Sequence, residues 1–194
     1  MRNRPLWAAS ASALLVLAVT LAALAEPSRH VKYSGVLNDF TPQNVPPTVS
    51  GPWEVRGHWS LTINRDSGKA DFSAALTMVR SDAGIASSGD GNLNDPTQRN
   101  AHTHHITLQG GQVSAIPNGF RVTGPATITA NGKLPPPFGP TSALQIDITG
   151  GNAVELSNVA VTFQEDAAGH FGTSPLHGVV RTVRNFDKDD EAPQ

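Results

Sequence analysis

Residues 52–64 read PWEVRGHWSLTIN. Trp53, Val55, Gly57, Trp59, Leu61 and Ile63 take one set of alternate positions, and Glu54, Arg56, His58, Ser60, Thr62 and Asn64 take the other. A period of two sustained this long predicts a strand with one buried face, because successive side chains leave a strand on opposite sides. Asp66-Ser67-Gly68 then supplies turn chemistry, and KADFSAALTMVR (69–80) returns with Ala70, Phe72, Ala74, Leu76 and Met78 on one face. The pair reads as a β-hairpin.

The same alternation recurs along the chain and predicts further strands at 30–37, 102–109, 112–116, 120–130, 143–149, 154–163 and 176–183. Gly110-Gly111, Pro117-Asn118-Gly119, Asn131-Gly132 and Gly150-Gly151-Asn152 read as turns. Helical periodicity is absent beyond the first 25 residues. The expectation is an all-β fold: a small closed antiparallel barrel of about eight strands wound up and down, with a two-sheet β-sandwich as the alternative. Two longer connections, 81–101 and 132–142, interrupt the meander. Loops of that length in compact domains usually carry function or are disordered.

The N-terminal segment has a separate logic. Arg2 and Arg4 precede a nearly unbroken apolar run from Leu6 to Leu24, and Ala23-Leu24-Ala25 gives the small-x-small pattern of a cleavage site. Residues 1–25 therefore read as a secretory signal peptide cleaved after Ala25, with an uncleaved membrane anchor as the competing reading. The expected organisation is a single β-barrel domain at 26–186, followed by a disordered acidic tail at 187–194. The expected location is the periplasm or the medium, with no membrane association after cleavage. With Arg2 and Arg4 gone, the 14 Lys plus Arg become 12 against 16 Asp plus Glu. Basic residues are scattered, which argues against a nucleic-acid partner. There is no Cys, so the core alone must hold an exported domain together.

The chemistry-bearing stretch is NAHTHHITLQGG (100–111), with three histidines in four positions. If Ile106 and Leu108 face the core, His102 and His104 share their face and His105 looks outward. Two histidines at i and i+2 can aim ring nitrogens at one ion, and neutral imidazole suits Zn, Cu or Fe. His177, in alternation with Val179 and Val183, is the first candidate for a third ligand, and His170, in a turn between the last two strands, is the alternative. His58 falls on the polar face, and His30 is expected to be exposed. The competing reading of the cluster is plain polar surface at a strand end.

Other signatures fail. Asp90-x-Asn92-x-Asn94 opens like a calcium loop but has Asp95-Pro96 in place of the glycine and Ala101 in place of the closing Glu. Gly172-Thr-Ser174-Pro-Leu176 lacks the last glycine of a nucleophile elbow. Trp53, Trp59 and Phe72 read as core or as the lining of an apolar ligand cavity. Gly57-x-Trp59 together with Arg181 resembles the lipocalin pattern, in which an early-strand Trp packs on a late-strand Arg. That resemblance implies a calycin-like barrel.

Two functional expectations follow. One is a metal-dependent enzyme acting on a small molecule at the barrel mouth, with catalytic residues unassigned. The other is a non-catalytic carrier for a small apolar ligand, or a structural exported domain.

Overall fold

The structure, a computed structural model, describes residues 28–41, 53–80, 102–130, 139–150 and 157–187. Residues 1–25, expected to be a signal peptide, the calcium-like run within 81–101, the expected turn at Asn131-Gly132 and the residues beyond Asp187 lie outside the described residues.

Eight strands form a closed antiparallel barrel in sequential order. They are β1 (His30–Phe40), β2 (Trp53–Asn64), β3 (Lys69–Arg80), β4 (His102–Ile116), β5 (Gly119–Ala130), β6 (Thr141–Thr149), β7 (Asn158–Phe163) and β8 (Leu176–Phe186). One helix, α1 (Glu165–Phe171), joins β7 to β8. The hairpin of β2 and β3 pairs in register from Trp53↔Arg80 to Asn64↔Lys69. Its buried residues are those the alternation assigns: Trp53, Val55, Trp59, Leu61 and Ile63 on β2; Ala70, Phe72, Ala74, Leu76 and Met78 on β3.

The lumen is filled by side chains. Leu37, Leu61, Phe72, Leu76, Met78, Ile106, Leu108, Ile128, Leu144, Ile146 and Phe163 are all 2 % exposed or less. Packing of this kind gives a small barrel its stability, since each fully buried aliphatic or aromatic side chain contributes about 1.5–3 kcal/mol by transfer from water. Outside, the register lines up Ser34, Ser60, Ser73, Thr107, Thr127 and Thr141 across six consecutive strands. The Ser60 and Ser73 hydroxyls are 3.0 Å apart. Such cross-strand hydroxyl pairs stabilise a sheet by roughly 0.2–1 kcal/mol each while keeping its outer face polar.

Two irregularities correct the sequence expectation. Gly110-Gly111 is no turn: β4 runs unbroken through it, and the register slips against both β3 and β5. Leu108 and Gly111 are both buried, whereas Gln109 and Gly110 are exposed. One extra residue has flipped the parity of the strand, the mark of a β-bulge. Gly110 has φ of 63° and its N–H donates to Asp71 Oδ1 at 2.8 Å. The predicted strands at 102–109 and 112–116 are therefore one. A second bulge lies in the β1–β8 seam, where Ser34 pairs with Thr182 and Gly35 with Val180, leaving Arg181 as the extra residue. Arg181 is exposed, whereas Trp59 is buried in the lumen. The Trp–Arg packing implied by the lipocalin resemblance is not made, because the two side chains lie on opposite sides of the wall.

The facing of β2 yields a direct test. Trp59→Ala should cost about 3–5 kcal/mol in denaturant unfolding, as deletion of a buried large aromatic does. Glu54→Ala removes only an outer ion pair with Arg56 and should cost under about 1 kcal/mol. Equal losses at both positions would show the strand to be faced the other way.

Candidate metal centre

The His cluster stands where β4 enters the barrel. Pairing of β4 with β3 puts His102 opposite Met78 and His104 opposite Leu76. Ile106 and Leu108, at 1 % and 0 % exposure, anchor the even positions in the lumen. His104 follows them inward and is 1 % exposed, while His105 is exposed on the outer wall.

The third histidine comes from α1. The segment around His170, expected to be a turn, belongs to a helix of seven residues, EDAAGHF. Ala167 and Phe171 are its buried residues. At i and i+4 they share one face, and His170, three residues after Ala167, borders that face. The helix ends at Gly172, whose φ is 93° and whose N–H returns to the Ala168 carbonyl at 2.9 Å. Two turns of helix are marginal on their own, so tertiary contacts hold this one. Phe171 stacks on Phe163 with ring centroids 3.9 Å apart and meets the His104 ring edge-on at 5.0 Å.

Three Nε2 atoms converge as a result. His170 Nε2 is 3.0 Å from His104 Nε2 and 3.2 Å from His102 Nε2. Nitrogens held at zinc-like bond lengths around a tetrahedral ion stand about 3.3 Å apart. Two of the three spacings are thus close to those around a bound ion, all three ligand atoms lie within 4.8 Å of one another, and the group could hold a metal ion. His104 Nδ1 lies 3.2 Å from the Thr129 carbonyl. A carbonyl only accepts, so neutral His104 carries its proton on Nδ1 and presents the Nε2 lone pair to the cluster.

The electrostatics agree. Burial, reinforced by the neighbouring His170 and His102, lowers the His104 pKa from 6.5 to about 3. Burial, with His102 beside it, lowers that of His170 to about 4. Both rings are neutral at physiological pH, the form that coordinates metal.

The remaining candidates are distributed as follows. His177 stands on the outer wall with its side chain 63 % exposed. Its backbone N–H and Nδ1 both lie against Asp39 Oδ2, at 2.8 and 2.9 Å. The expected alternation with Val183 fails because the Arg181 bulge between them inverts the parity of β8. Trp53 lies edge-on to His102 at 5.3 Å and walls the centre. Trp59 and Phe72 stack at 6.4 Å within the packed core. His30, expected to be exposed, is 8 % exposed and stacks on Phe186, because β1 and β8 close over it. Glu165, at the start of α1, accepts from the Ala143 N–H at 3.3 Å. The sequence signal for α1 was the Ala167/Phe171 spacing, too short a run to stand out from a turn.

The lowered pKa values carry a pH dependence with a definite sign. An unfolded chain takes up a proton on each histidine near 6.5, whereas folded His104 and His170 resist until about 3 and 4. The unfolded state therefore binds more protons in that window, and the metal-free protein loses stability as pH falls from about 6.5 toward 4. Denaturant midpoints measured in chelator should decline over that range. The decline should be shallower in His104→Gln/His170→Gln, and an unchanged slope in that variant would contradict the assignment.

No known protein family, curated protein or solved structure matches this chain, so the functional reading stands on the geometry of His102, His104 and His170.

Proposed function

We propose that this is an exported metalloprotein in which His102, His104 and His170 hold one divalent transition ion at the barrel mouth, where the ion acts on a small molecule. The observation that carries this reading is the convergence of three imidazole Nε2 atoms from two separate elements, those of His104 and His102 at 3.0 and 3.2 Å from that of His170. Three protein ligands leave one tetrahedral position open, the pattern of catalytic rather than structural sites. An ion held there lowers the pKa of a bound water or polarises a substrate oxygen. Zinc, copper and iron all suit imidazole donors. Export is supported by the composition of residues 1–25, and in that case the mature chain starts at Glu26.

A carrier function is the second reading, and one observation favours it. Trp59 is 3 % exposed, and its Nε1 has no hydrogen-bond partner among the described residues. A ligand oxygen that reached it would satisfy that N–H.

The test uses mature protein purified from the exported fraction without a histidine tag, titrated calorimetrically with Zn, Cu and Fe ions. Wild type should bind one ion. His102→Ala, His104→Ala and His170→Ala should each weaken binding beyond the roughly 10–100-fold that loss of an outer-shell partner costs. His105→Ala and His177→Ala should leave affinity nearly unchanged, since both rings lie on the outer wall. A wild type that binds nothing below millimolar, or a His105 variant as impaired as the inner three, overturns the metal reading and leaves the carrier.

A further inference from the structure

We propose that the ion held by this triad takes a small oxyanion at its open position, a carboxylate being the simplest form, so that the site's substrate is anionic. The inference rests on the metal reading above and adds the class of ligand. Its first ground is charge. His102, His104 and His170 are imidazole donors that coordinate as neutral rings, so a divalent ion keeps its whole charge after binding all three.

The second ground is the surroundings of the cluster. The Trp53 ring stands at 5.3 Å from His102, and Phe171, 0 % exposed, stands at 5.0 Å from His104. Aromatic walls lower the local dielectric, and the attraction between a cation and an incoming anion rises accordingly. A neutral polar molecule gains no such term and still has to shed its water.

The third ground is where the acidic groups among the described residues of this end of the barrel point. Asp39 is held on the outer wall by His177. Glu165 and Asp166 lie in the exposed first turn of α1, whereas His170 lies in its last. Among the described residues, the group of potential ligands is these three histidines.

The experiment loads tag-free wild type with Co²⁺, whose visible absorption reports its coordination, after calorimetry has established that Co²⁺ binds. Sodium acetate and acetamide are then titrated separately at constant ionic strength set with perchlorate. Acetate should shift the visible bands saturably, with a half-saturation at least about tenfold lower than that of acetamide. If Co²⁺ binds and acetate leaves the bands unchanged, or acetamide matches it, the anionic-substrate inference is overturned while the metal centre stands. If Co²⁺ does not bind at all, the metal centre falls and this inference falls with it.

Discussion

The ring of strands closes because β1 and β8 pair along eight register positions with one residue, Arg181, bulged out of the ladder. The approach there is close. A Cβ added to Gly35 would lie 1.9 Å from the Val179 carbonyl oxygen and 3.0 Å from Trp59 Cζ2. Glycine is therefore required where the seam presses on the lumen. Closure removes the sheet edges that would otherwise invite pairing with other chains, and it turns a two-faced sheet into an inside and an outside. Every side chain is then assigned to one or the other by strand parity, and the bulges in β4 and β8 are where that parity resets.

The histidine cluster depends on the same assignment. Between the β4 bulge and the mouth, the even residues of that strand face inward, which carries His104 into the lumen and brings His102 to its rim. β4 and β8 lie half a turn apart around the eight-stranded ring. The β7–β8 connection can meet β4 only by reaching over the end of the barrel, and α1 does so. Phe171, wedged between Phe163 and His104, fixes the helix in place and delivers His170. An ion bound by the three histidines would tie the helix to the opposite wall. Because the unfolded chain has no such arrangement, its binding energy would add directly to the stability of the fold.

His104 and His170 are costly for the empty protein to protonate, because burial and the neighbouring imidazoles disfavour their charged forms, which is why their pKa values fall. That same cost keeps the donors ready for an ion, since at physiological pH no proton has to leave His104 or His170 first. The outer pair of His177 and Asp39 shows the contrast. There the imidazole sits in solvent beside a carboxylate, an ordinary surface contact of little energetic weight.

What the sequence by itself determined was the class and the core. Alternation in 53–63 and 70–78 is a local property of the chain, and it identified the hairpin and its buried face without reference to any distant residue; its recurrence along the chain gave the all-β class, with a barrel ahead of a sandwich. The same parity placed His102 and His104 inside and His105 outside. The third histidine of the cluster was beyond its reach. Whether His170 or His177 joins the pair depends on a one-residue bulge at Arg181 and on the docking of a two-turn helix, and both are set by contacts between segments far apart in the chain. A bulge leaves no periodic signal, because it is a break in the period, and a helix of seven residues is stabilised by the surface it lands on rather than by its own propensity. Those features belong to the tertiary structure, and they decided which three histidines meet.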